Sequence, residues 1–174
     1  DELVSFSFRP HKRKYDEGNL LEVIKPSPDR IEAKCKHYGV CGGCSFMHLS
    51  SEKQIEAKQQ VMLDGLEHIG KVKLNEVLPT VTTHPWGYRR KARLGVKYVF
   101  KKEKVLVGFR ERSAPYLAEL EQCEVLHPDA GLRLTSFSEL IRSLSCYDKI
   151  AQIEVAIADE ISAFVFRNLV ELTE

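Results

Sequence analysis

The chain has 174 residues, with 26 Lys and Arg against 25 Asp and Glu and 43% apolar residues. That is enough for one domain with a packed core, and it excludes a disordered tail, a collagen-like repeat and a mucin-like stalk. No apolar run approaches the roughly 18 residues of a membrane span. The start, Asp1-Glu2-Leu3-Val4, lacks the basic and then apolar stretches of a signal peptide. With no initiator Met and an opening in mid-strand, the chain is expected to be a piece of a longer polypeptide.

Residues 3–8 alternate, Val4, Phe6 and Phe8 against Leu3, Ser5 and Ser7, which predicts a half-buried strand. Residues 20–24 predict a second. Pro26-Ser27-Pro28 disfavours both helix and ladder and places a domain boundary there. A Cys- and Gly-rich loop covers 35–48. Ser51 and Gln54 then predict a capping box. It opens a helix with Ile55, Met62, Leu66 and Ile69 on one core-facing side and Gly70 as its stop.

From Tyr88 the period changes to two. Ala92, Leu94, Val96, Tyr98 and Phe100 face one way, and Lys91, Arg93, Gly95 and Lys97 the other. Lys101–Lys104 predict a charged turn and Val105–Phe109 the partner strand, a hairpin with one basic face. A helix is expected after Pro128, with Leu132, Leu140, Ile141 and Leu144 as its apolar side. A second hairpin is expected from Ile153, Val155 and Ile157 through a turn at Ala158-Asp159-Glu160 to Phe164 and Phe166. The expected fold is α+β, an antiparallel sheet with two or more helices and a Cys-rich loop.

Five cysteines stand at 35, 41, 44, 123 and 146. An odd number without an export signal argues against a disulfide framework and for a reducing, cytoplasmic setting. Cys35-x5-Cys41-Gly-Gly-Cys44 gathers three thiols, and the paired glycines let the backbone turn tightly and aim amide N–H groups at sulfur. Zinc and an iron–sulfur cluster both ask for four ligands, and Cys123 and Cys146 are the candidates for the fourth. For zinc, His37 and His48 also come into question. The irregular spacing leans toward iron–sulfur.

Charge is placed unevenly. Ten Lys and Arg fall between His84 and Arg112, against Glu103 and Glu111 alone. Arg9, Lys12, Arg13 and Lys14 form a smaller cluster. Such runs are either solvated strand faces or a surface for a polyanion.

Pro26-Ser27-Pro28-Asp29-Arg30, Cys35-x-His37-Tyr38-Gly39-x-Cys41-Gly42-Gly43-Cys44 and His48-Leu49 resemble the iron–sulfur loop of the bacterial RNA uracil-5-methyltransferase family. Trp-Gly-Tyr-Arg-Arg-Lys-Ala-Arg-Leu at 86–94, Val-Gly-Phe-Arg at 107–110 and Gln-Cys-x-x-Leu-x-Pro at 122–128 extend the likeness over 26–128. The resemblance implies a [4Fe-4S] cluster on Cys35, Cys41, Cys44 and Cys123, with Cys146 an ordinary thiol. It implies that residues 1–25 end a TRAM-like RNA-binding β-barrel and that 26–174 belong to the iron–sulfur central domain.

The implied parent enzyme methylates a uridine of 23S rRNA, flipped out of its stack, with S-adenosylmethionine as donor. The family's catalytic cysteine, base and Gly-rich cofactor loop have no match here. No catalytic residue is therefore expected in this chain, and by itself it is expected to be inactive. Its expected task is to hold RNA. Arg89, Arg90, Lys91, Arg93 and Arg110 would contact phosphates and bases, and Tyr88 would stack on a base. Trp86 and Phe109 are read as either stacking or core residues, and Arg90 has a structural ion pair as its alternative. No membrane partner is expected. The competing reading is a zinc-binding nucleic-acid module with no methyltransferase role.

Overall fold

A computed structural model of the chain describes residues 1–171. The strands are β1 (Leu3–Phe8), β2 (Gly18–Lys25), β3 (Lys91–Val99), β4 (Lys104–Gly108), β5 (Ile150–Ile157) and β6 (Ser162–Asn168). The helices are α1 (Ser51–Asp64), α2 (Pro128–Gly131) and α3 (Leu134–Ser143). The fold is α+β. β1 and β2 form an antiparallel ribbon, and the other four strands form an antiparallel sheet in the order β4-β3-β5-β6. The sheet is thus two hairpins laid side by side, and neither sheet closes into a barrel.

Alternation decides the faces of this sheet, because successive side chains of a strand point to opposite sides. Ala92, Leu94, Val96 and Tyr98 of β3 point inward with Val105 and Val107 of β4 and Ile153, Val155 and Ile157 of β5. α3 covers them with Leu134, Phe137 and Ile141. Phe137 reaches across to β6, its ring 5.0 Å from that of Phe164 and 6.2 Å from that of Phe166. The opposite face carries Lys91, Arg93 and Lys97, with Glu154 of β5 directly beside Arg93.

At its β4 edge that outer face is covered. Gly108 takes φ +148, and a Cβ there would lie 2.6 Å from Leu120 Cδ1. The chain therefore leaves the sheet at a position only glycine serves well, and 109–121 folds back over it. Lys102 and Lys104 hold this return through Glu119, at 2.7 and 2.5 Å. The two ammonium groups draw the Glu119 carboxyl down to about 2.

Five expectations change. Ser50, not Ser51, caps α1, its hydroxyl accepting the Lys53 N–H at 3.3 Å. Gln54 Nε2 instead donates to the Leu49 carbonyl. The cap moves by one because Ser50 keeps a non-helical backbone, with ψ 155, while Ser51 is already the first helical residue.

Secondly, α1 buries none of its residues. Met62 is 53% and Ile69 86% exposed, so the stripe is not core. The helix runs on through a π-helical turn, Gly65–Ile69, before Gly70 ends it.

Thirdly, the segment after Pro128 makes two helices. The buried side of α3 is Leu134, Phe137 and Ile141, while Leu132, Leu140 and Leu144 face outward. The break at Leu132-Arg133 resets the helical phase. Fourthly, β1 is not half-buried: Phe6 and Phe8 are exposed and stack edge-on against each other at 5.1 Å. Phe100 likewise leaves β3 for a 3₁₀ turn and stands 71% exposed.

A bidentate pair ties the ribbon to the rest. Arg30 Nε and Nη2 donate to the two carboxylate oxygens of Glu2, the second at 2.6 Å, and the Ser27 N–H adds a third bond at 3.1 Å. The guanidinium holds the Glu2 carboxyl at about 2.

The corrected face of α3 is checked by truncation. Ile141→Ala is expected to lower the unfolding free energy by about 2–5 kcal/mol, and Leu140→Ala by less than about 1 kcal/mol, as read by urea denaturation. Equal losses at the two positions would contradict the placement of α3.

Candidate functional site

Four of the five thiols line one small pocket: Cys35, Cys41 and Cys44 from the loop before α1, and Cys123 from the segment before α2. Met47, Phe109, Leu120 and Val125 supply apolar walls around them.

The loop is shaped by its own hydrogen bonds. The Tyr38 N–H donates to the Cys35 carbonyl at 3.0 Å and the Cys41 N–H to the His37 carbonyl at 2.9 Å. The Tyr38 hydroxyl donates to the Ser45 carbonyl at 2.8 Å and meets His48 Nδ1 at 2.6 Å. The Gly43 N–H points at Cys41 Sγ from 3.4 Å. The paired glycines thus deliver an amide donor to sulfur.

The loop is also fastened to the far half of the pocket. The Gly42 N–H donates to the Arg110 carbonyl at 2.9 Å and the Arg112 N–H to the Val40 carbonyl at 2.8 Å, just beyond β4. The His37 ring accepts the Glu121 N–H on Nε2 at 3.2 Å, and Lys36 pairs with the Glu121 carboxylate. Cys123 is seated on α2, its N–H donating to the Gly131 carbonyl at 2.9 Å. A Cβ on Gly131 would lie 2.4 Å from the Cys123 carbonyl oxygen, so α2 approaches this closely only because residue 131 has no side chain. Neither the His37–Glu121 bond nor the Gly131 contact follows from the sequence. The only local signal is the histidine between two cysteines.

All five thiols are free. Burial pushes the Cys41, Cys44 and Cys123 thiols up, and neighbouring thiols of the set push each further. Backbone N–H groups oppose this: Gly43 at Cys41, and Leu126 and Val125 at Cys123. Among the described residues, no three His, Cys, Asp or Glu side chains form a group that could hold a metal ion. The thiols line a common pocket without converging as one ion's ligands. His37 and His48 turn their ring nitrogens to Glu121 and Tyr38 and do not line up as zinc ligands. Cys146 lies apart, packed against the sheet's core.

The basic residues divide by position. Arg90 is paired with Asp159 at 3.0 Å, its structural alternative, and Arg93 approaches Glu154 at 3.7 Å. Lys91 and Arg93 share a groove on the outer sheet face with Arg89, Phe109 and the small side chains Ala156 and Ala163. The Arg89 guanidinium lies over the Phe109 ring, 5.7 Å from its centroid. Arg110 and Tyr88 are exposed, the latter by 55%, and Trp86 is half-buried under Lys34. No described helix is long and apolar enough to cross a membrane.

No protein-family model matches the chain. Curated relatives do. The 23S rRNA (uracil(1939)-C(5))-methyltransferase RlmD of Nitrosococcus oceani is 51% identical over 173 residues, that of Francisella tularensis subsp. novicida 45% over 174, and that of Legionella pneumophila 44% over 174. Each alignment covers 99% of this chain and 39% of the relative. The chain thus spans about two-fifths of the length of the proteins it matches. At this identity over nearly all its residues, it belongs to the RNA uracil-5-methyltransferase family that these relatives represent.

Proposed function

We propose that this chain is the iron–sulfur and RNA-recognition part of an S-adenosylmethionine-dependent 23S rRNA uracil-5-methyltransferase. One observation carries the reading: Cys123, remote in sequence, shares a pocket with Cys35, Cys41 and Cys44. Burial and neighbouring thiols push the half-buried Cys41, Cys44 and Cys123 up, an environment that a cation relieves, because bound metal takes the sulfurs as thiolates. Zinc and a cubane cluster both take four thiolates. The irregular spacing of Cys35, Cys41, Cys44 and Cys123 leans toward [4Fe-4S], and relatives named as 23S rRNA methyltransferases make a zinc module without a methyltransferase role the weaker reading.

Bound there, the cluster would join the loop to Cys123 by iron–thiolate bonds across a long stretch of chain. The chain's own contribution is the scaffold: the Gly42–Arg110, Val40–Arg112 and His37–Glu121 bonds hold the two halves at the right separation. RNA would meet Arg89, Lys91, Arg93 and Arg110 on the sheet's outer side and rim, with Tyr88 free to stack. Arg90 would contribute only by leaving Asp159. Arginine's planar fork suits phosphate and base faces.

The β1–β2 ribbon fits the end of a TRAM-like barrel, since Phe6, Phe8, Leu20 and Leu21 lie uncovered on it. On this reading 1–25 and 26–174 are separate units, and a thiol-rich chain without disulfides suits a reducing cytoplasm. Methyl transfer, and the S-adenosylmethionine site with it, is assigned to the part of the relatives outside the aligned 39%, so the chain alone is expected to transfer no methyl group.

Anaerobic reconstitution with iron and sulfide is expected to give about four of each per chain and broad absorbance near roughly 400 nm. A colourless protein with about one zinc per chain would favour the other reading. Cys123→Ala is expected to abolish the absorbance and lower the melting temperature, while Cys146→Ala keeps both. Gly131→Ala, which spares every thiol, is expected to speed iron release to a chelator several-fold by displacing Cys123. Unchanged release would show that the close approach to α2 does not seat the ligand.

A further inference from the structure

Arg89 stands between two sites. Its backbone is fixed beside the segment that carries Cys123: its N–H donates to the Val125 carbonyl at 2.9 Å, and its carbonyl accepts the His127 N–H at 3.0 Å. Its side chain, with the Phe109 ring beneath it, lines the thiol pocket on one side and the outer-face groove of Lys91 and Arg93 on the other. It is also uncommitted. Arg90 is held by Asp159 and Arg93 by Glu154, whereas Arg89 forms no ion pair among the described residues. One guanidinium therefore serves two potential anions, the thiolate-bound cluster and a phosphate in the groove.

We infer that Arg89 couples the charge of the cluster to polyanion binding on the outer sheet face, so that the oxidised protein binds RNA more tightly than the reduced protein. The inference rests on the iron–sulfur and RNA reading above. Reduction is a one-electron step: a low-potential donor such as dithionite gives one electron to the cluster, which becomes more negative by one charge while its bonds to the four thiolates persist. The added charge draws on Arg89 and repels a phosphate beside it. Coupling between two binding equilibria is reciprocal. RNA must then make the cluster harder to reduce by the same factor that reduction weakens RNA binding. A tenfold factor equals about 59 mV for a one-electron couple.

The test uses the full chain loaded with cluster under anaerobic conditions and a single-stranded oligouridylate as the RNA. Dithionite titration through redox dyes, followed by the cluster absorbance, gives the potential with and without saturating RNA. Binding titrations on oxidised and reduced samples give the affinity ratio. The expected result is a three- to tenfold ratio and a matching fall in potential of about 28–59 mV. Arg89→Lys should keep most of the shift. Arg89→Gln should lower the RNA-free potential and lose at least half of the shift. Arg93→Gln, which removes a groove charge that does not line the pocket, should weaken RNA binding and leave the RNA-free potential unchanged.

The inference is overturned if RNA binds yet leaves the potential where it was, if Arg89→Gln keeps the full shift, or if the loaded cluster accepts no electron from dithionite. A chain that takes up no iron, or that takes up iron but binds no RNA, would instead overturn the corresponding part of the proposed function and this inference with it.

Discussion

The site depends on bringing four thiols to the wall of one pocket when one of them lies far along the chain. That arrangement is unfavourable by itself. Burial opposes charging Cys41, Cys44 and Cys123, and neighbouring thiols of the set oppose it further. The chain therefore spends its local hydrogen bonding on this corner. Three elements meet there, the loop before α1, the strip leaving β4 and the segment entering α2; backbone bonds fasten the loop to the strip, and the His37 ring and Lys36 fasten it to Glu121. The sheet's apolar face and α3 supply the rigid body to which these pieces are attached, so core packing and ligand geometry are linked through Gly108, where the chain leaves β4, and Gly131, where α2 touches Cys123.

Much of the fold was legible in the sequence because a two-residue period has few rival explanations. The hairpins of β3–β4 and β5–β6 follow from alternation, and their inner faces hold at Leu94, Val96, Ile153 and Val155. Helical periodicity was less decisive. Ile55, Met62, Leu66 and Ile69 share a stripe, but a stripe is buried only where another element meets it. In the structure Ile55, Met62 and Leu66 instead border an open groove of about 1010 Å³ with Leu74, Leu78 and Trp86 on its other side. After Pro128 the error has another cause: a two-residue interruption shifts the phase, so leucines at 132, 140 and 144 trade places with Leu134 and Phe137.

The site was legible in a similar, partial way. Cys35, Cys41 and Cys44 announce themselves by spacing. Cys123 does not, and it was assigned through its Gln-Cys-x-x-Leu-x-Pro context. The contacts that bring it to the others, from Gly131 and the Glu121 N–H to His37, are tertiary and leave no pattern along the chain.

Charge shows most clearly what strand order adds to sequence. Along β3 the outward residues form a uniformly basic row, yet β5 places Glu154 opposite Arg93, and the turn after β5 presents Asp159 to Arg90. Glu119 takes Lys102 and Lys104 as the chain folds back. Pairs at such exposed positions are worth little each, because water screens them and the side chains stay mobile. They can be broken by a stronger ligand such as a phosphate backbone, but they lower the standing field of the face. Four of the ten basic residues between His84 and Arg112 are thus paired, and the face keeps part of its excess. Among the described residues without an ion pair, Arg89 lies over Phe109 at the thiol pocket, and the Arg110 carbonyl holds Gly42. A cluster bound in the pocket and a phosphate bound in the groove would both lie beside Arg89, and the field of each would reach the other.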